Sequence, residues 1–143
     1  MSGSGAGESD LATLLRSLAP VRDEHDHVFV THAAGALGPH LDVVATVSEA
    51  EGTTSILRAS QLESALAAGA RCDDPTPMAR LTLQVHSALS AVGLTAAVAT
   101  ALAARGISCN VVAGYHHDHL FVPAAAADRA LEALAELTAS AGG

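Results

Sequence analysis

The sequence predicts an α+β fold built of two small antiparallel sheets, each with helices packed on one face. Two observations lead there. Short strand-like runs and helical stripes follow one another along the chain, and a Pro- and Asp-rich stretch, residues 71–79, separates two halves of similar inventory. Half of the 143 residues are hydrophobic, so a chain this size can bury roughly two-thirds of its unfolded surface. Aromatic residues make up only 2%, so Ala, Leu and Val must fill the core.

Residues 1–9, rich in Gly and Ser, are expected as a disordered tail. Leu11, Leu14, Leu15 and Leu18 recur at helical spacing, with Ser9 or Asp10 as cap and Pro20 as stop. His27 to His32 and Leu41 to Ser48 have strand composition, and the Gly- and Pro-bearing residues between them form a loop. Glu49 to Gly52 is an acidic turn leading into a strand from Thr53 to Arg58, which makes a hairpin with the preceding strand. Ser60, Gln61, Leu62 and Glu63 form a capping box for a helix that Gly69 ends. The first half is thus residues 10–70.

The second half, residues 80–139, opens with a strand, Arg80 to His86, that alternates Leu81, Leu83 and Val85 on one face. Leu94, Ala97, Val98, Ala101 and Leu102 mark a helix ending at Arg105 and Gly106. Strands follow from Ile107 to Ala113 and around Leu120 to Val122. Pro123 then sits at the first position of a helix that buries Ala127, Ala130, Leu131, Leu134 and Leu137. The order β-α-β-β-α is ferredoxin-like; the first half has a similar set in a different order.

Composition excludes several functions. The formal charge is −8, and all seven basic residues are Arg. Without Lys the chain has no Schiff-base amine and no phosphate-loop lysine. An acidic chain almost without aromatics makes a poor nucleic-acid surface, so no nucleic-acid partner is expected. The first residues carry neither a signal-peptide nor a transit-peptide pattern, and no apolar run approaches the ~18 residues of a membrane span, so a cytoplasmic protein with no membrane partner is expected. Cys72 and Cys109 lack metal spacing and are expected as free thiols.

Ser87 to Leu94 (SALSAVGL), Gly106 to Val112 (GISCNVV) and His117 to Pro123 (HDHLFVP) resemble the ACT domain, and most closely small bacterial proteins with a tandem ACT-like pair. Glu49 to Thr53 resembles the EGxT motif of that family's first half. The resemblance spans about residues 10–139 and extends to the ACT domains of aspartate kinase regulatory regions and of amino-acid sensors. It implies a non-catalytic regulatory module that binds an amino acid or another small metabolite. By the pattern of an animal arginine sensor, it implicates Asp118 and the loop from Ser87 to Leu94.

The chemistry of these residues agrees with that implication. Ala91 to Leu94, including Val92, lies where a strand hands over to a helix, whose free first-turn N–H groups and positive dipole end attract a carboxylate. Gly93 permits close approach to the backbone, and Ser87 and Ser90 offer hydroxyl donors, one of them as N-cap. Asp118, with Glu49 or Glu51, supplies acceptors for an ammonium or guanidinium group. The plainer reading is that Ser90 caps a helix and Gly93 eases packing.

His116, His117, Asp118 and His119 invite a metal. On a strand, however, His117 and His119 face one way and His116 and Asp118 the other. A zinc site needs further ligands, and His86 or His32 qualifies only if the fold brings it close, so neither metal nor cofactor is expected. No GxSxG elbow is present, the glycines at positions 3, 5 and 7 follow no strand, and Cys109 sits in a strand, so no catalysis is expected. Two alternatives stand beside the amino-acid module: an assembly module acting as a homodimer or on a partner enzyme, and a small His- or metal-dependent enzyme.

Overall fold

The structure, a computed structural model, describes residues 10–35, 37–86 and 92–142. It divides into two compact units: Glu24–Met78, and the chain up to Asp23 together with Ala79 onward.

In the unit Glu24–Met78 the strands are β1 (Pro20–His32, whose first four residues belong to the other unit), β2 (Val43–Glu49) and β3 (Gly52–Arg58). β2 and β3 form an antiparallel hairpin, and β3 pairs antiparallel with β1 from His27↔Arg58 to His32↔Thr53. On the far side of β1, Thr31 and Arg71 exchange two backbone hydrogen bonds of 2.9 and 2.8 Å, a one-residue fourth strand. Val28, Val30 and Leu57 stand on one face and bury against Ala65 of α2 (Leu62–Ala67) and Ala70. Where a ferredoxin-like unit carries its first helix, residues 33–35 and 37–42 form no helix or strand; β2 starts at Val43, two residues later than the strand expected from Leu41, and Leu37 and Leu41 pack on the same core.

The second unit contains α1 (Leu11–Arg16), the start of β1, β4 (Met78–Leu83), α3 (Leu94–Ala103), β5 (Asn110–Ala113), β6 (Asp118–Pro123) and α4 (Ala127–Gly142). β5 and β6 pair antiparallel from Asn110↔Phe121 to Ala113↔Asp118, and β6 lies beside β4. The incoming chain lies along β4: the Gln84 N–H donates to Leu18 O at 2.9 Å, and Asp23 pairs with Arg80 at 3.7 Å. Ala79, Leu81, Leu83, Leu120 and Val122 present one sheet face to α1, α3 and α4, burying Leu14, Leu18, Val98, Leu102, Ala130 and Leu134.

This tandem ferredoxin-like α+β architecture is the fold class the sequence predicts, with differences of detail. The helix α1 packs with residues 79 onward rather than within residues 10–70, because Leu14 and Leu18, both fully buried, belong to that core. β1 begins seven residues earlier than the apolar alternation suggests. Ser60 lies in a 3-10 turn (Ala59–Gln61), and α2 starts after Gln61 with no side-chain cap, so the capping box does not form. Pro123 ends β6 and precedes a 3-10 turn instead of opening α4. Gly69, at φ 103°, terminates α2 as expected.

Candidate functional site

The turn into α3 carries the clearest backbone feature of the predicted site. Gly93 is the N-cap of α3, in the left-handed region at φ 100°, and has no side chain with which to cap the helix. The first intrahelical bond runs from the Ala97 N–H to Gly93 O at 2.8 Å, and the cap residue leaves the amides before it to other acceptors. A β-carbon at Gly93 would lie 3.2 Å from Leu11 Cδ2 of α1. The expected serine cap is therefore replaced by a glycine, whose backbone geometry takes over the turn. Val92, 84% exposed, and Leu94, buried in the core, flank it. Ser87 and Ser90 lie outside the described residues.

Asp118 opens β6, directly after the β5–β6 turn of Gly114 to His117, which is closed by a Gly114 N–H donating to His117 O at 2.9 Å. Its side chain is half-buried, and no hydrogen bond among the described residues satisfies its carboxylate. Burial raises its pKa, with His119 and His117 pulling the other way. His116 and His117 sit in the turn rather than on the strand, so the four-residue run does not alternate faces as a strand would. The ring centroid of His86, just beyond β4, lies 6.1 Å from that of His116. The turn and the chain leaving β4 therefore meet at one end of this unit. Among the described residues no three His, Cys, Asp or Glu side chains stand in ligating positions for a metal ion.

His119 points to the opposite sheet face. Its Nδ1 accepts from the Thr82 hydroxyl at 2.9 Å and from Arg80 Nη2 at 3.3 Å. Because Arg can only donate, the ring is neutral, with its proton on Nε2. Burial, then Arg80 and His117, lower its pKa. The sequence reading missed this trio, since nothing local marks side chains that only strand adjacency brings together.

Glu49 and Glu51 belong to the unit Glu24–Met78. Glu49 ends β2 and accepts a hydrogen bond from the Thr54 hydroxyl; Glu51 is exposed in the β2–β3 turn. In the same unit His32 Nδ1 donates to Ala33 O at 2.8 Å, so its Nε2 accepts from the Ser55 hydroxyl at 2.7 Å. A serine donating to an imidazole is nucleophile-and-base geometry, but Ser55 is 1% exposed, and the pair ties β1 to β3. Cys72 and Cys109 are free thiols. Burial raises the pKa of both, which keeps them protonated and unreactive at neutral pH.

ACT-domain family models match residues 6–75 and 79–136. A solved structure of a Vibrio cholerae protein of unknown function, described as a possible transport protein, is 46% identical, covers 90% of this chain and 95% of its own, and superposes with a TM-score of 0.74. The ligand-free regulatory subunit of aspartate kinase from Thermus thermophilus shares the fold at 15% identity, covering 85% of this chain and 97% of its own, TM-score 0.65. E. coli aspartokinase III, in complex with aspartate and ADP, does so at 13% identity, over 83% of this chain and 33% of its own, TM-score 0.60. No curated protein matches the sequence.

Proposed function

Since the chain belongs to the ACT-domain family, with two such domains in tandem, we propose that it is a non-catalytic regulatory module whose ligand is an α-amino acid. The observation that carries this reading is the half-buried carboxylate of Asp118, which has no hydrogen bond among the described residues and whose charged form burial penalises. A carboxylate in that condition gains from a donor brought by a ligand, and an ammonium group is the matching donor.

The ligand's own carboxylate goes to the start of α3. There the N-cap, Gly93, has no side chain of its own to occupy the first-turn amides. Ser87 and Ser90, outside the described residues, are the hydroxyl donors of this proposal, and Val92 and Leu94 flank Gly93. An amino acid held this way meets an acceptor at its positive group and donors at its negative group. Glu49 and Glu51 serve the same class of ligand in the first domain, where Glu49 already accepts from Thr54.

A thermal-shift screen of the chain against the twenty amino acids tests this. A ligand at a hundred times its dissociation constant stabilises by about 2.7 kcal/mol, several degrees for a chain of this size. A shift from one amino acid or one side-chain class is the expected outcome. A flat screen, together with an unchanged mass in solution on adding the candidates, would sink the amino-acid reading and leave assembly as the function.

A further inference from the structure

We propose that His119, together with Arg80 and Thr82, forms an acid-released latch that holds the β5–β6 hairpin to β4. His119 Nδ1, on β6, accepts from the Thr82 hydroxyl at 2.9 Å and from Arg80 Nη2 at 3.3 Å, both on β4. The other terminal nitrogen of that guanidinium, Nη1, stands 3.7 Å from the Asp23 carboxylate on β1. Carboxylate, guanidinium and imidazole thus join three strands of one unit. The Arg80 and Asp23 side chains are only 23% and 29% exposed, so water screens this cluster weakly.

The latch depends on Nδ1 being an acceptor, which it is only while the ring is neutral. A proton taken up there turns it into a donor. The Thr82 hydroxyl can rotate and accept, but the guanidinium has no lone pair to offer. Two positive groups then face each other where a hydrogen bond stood. Arg80 is already short of partners, since its Nε is buried without one. The other titratable groups about the ring are Asp118, its neighbour on β6, and His117 in the turn; from β5 the residue opposite is the uncharged Val112. Asp118 favours the proton, while burial, Arg80 and His117 oppose it, so release falls on the acid side of the ordinary histidine range. The hairpin follows the ring because the turn packs on it: a β-carbon at Gly114 would lie 3.2 Å from His119 Nε2. β5, at an end of the sheet, has β6 as its one strand neighbour among the described residues. Ring departure therefore loosens β6 and the turn from β4, and Asp118 moves with them. The latch works without any ligand, so it stands or falls apart from the amino-acid reading.

The test is NMR of the full chain from about pH 7.5 down to about pH 5. The His119 ring nitrogens report protonation, and amide hydrogen exchange, corrected for its intrinsic pH dependence, reports backbone protection. The expected result is a neutral ring protonated on Nε2 at the upper end, and a several-fold loss of protection in β5 and β6 as that ring titrates. α4, in the same unit, keeps its protection. In His119→Asn, whose side-chain oxygen is an acceptor that does not titrate, protection of the hairpin stays level across the range. Unchanged hairpin protection through the titration of His119, an equal loss in α4, or a ring already protonated at the upper end overturns the proposal. The measurement on the unsubstituted chain decides the matter even where the variant fails to fold.

Discussion

At Asp118 the proposed ligand contact and stability pull against each other. Its folded-state pKa is raised, chiefly by burial, so its stabilising contribution is present in acid and is lost as pH rises through the folded value. At neutral pH the ionised side chain is a net cost to the ligand-free protein. Asp118→Asn is therefore expected to raise the melting temperature of the ligand-free chain at neutral pH and to lessen the fall in stability as pH rises above the ordinary carboxylate range.

His119 titrates the other way. Its pKa lies below the ordinary 6.5 in the folded chain, so the unfolded chain takes up a proton first and stability falls as pH drops through that range. The melting temperature of the wild type should decline more steeply between about pH 7.5 and about pH 5.5 than that of His119→Asn, whose side-chain oxygen still accepts from Thr82 and Arg80. Equal slopes would mean that His119 is not held neutral by its neighbours.

Two glycines give a ranked prediction. Gly93→Ala meets only the end of the flexible Leu11 side chain and costs about 1–2 kcal/mol through its positive φ. Gly52→Ala, at φ 150°, puts a β-carbon 2.8 Å from the backbone oxygen of His32, so its loss in denaturant midpoint should be the larger. Gly93 and Asp118 were legible in the sequence because a dihedral requirement and a charge reside in the residue itself. The Arg80–Thr82–His119 contacts, between residues nearly forty positions apart, depend on which strands become neighbours.

Among the elements, α1 carries the sharpest expectation. Its Leu14 is fully buried in the core of the unit that contains α3 and α4, although in sequence it precedes the other unit. Leu14→Ala should cost about 2–5 kcal/mol, and hydrogen exchange should accelerate in β4 and α4 more than in β3 and α2. The reverse pattern would assign α1 to the first half.

The helical stripe of α1 was plain from its leucine spacing, but a stripe does not say which sheet it covers. β1 was half legible. From His27 onward its apolar residues alternate, whereas Arg22, Asp23 and their neighbours carry no such alternation. In the fold Arg22 pairs with Asp128 at 3.9 Å and Asp23 with Arg80, so charge pairing occurs where the sequence offers no apolar signal. The capping box at Ser60 failed for a related reason: the chain turns through a 3-10 segment first, and α2 starts too late to use it.

For the molecule as a whole, the α+β class and the tandem arrangement followed from strand and helix patterning, because each half repeats a β-β-α unit with turn residues between its strands. Two separate apolar cores bear that reading out. Its chemistry was legible only as residue types: a carboxylate, a glycine turn and histidines, whose partners the fold supplies. Among the described residues no helix is long and apolar enough to cross a membrane. The measurement that bears most directly on the amino-acid reading is a calorimetric titration of wild type and Asp118→Asn with the amino acid that gives the largest thermal shift. Saturable binding to the wild type and its loss in Asp118→Asn, in a variant that melts higher than the wild type without ligand, is the predicted result. Equal affinity in the two proteins would contradict the assignment of Asp118 as the ligand's acceptor.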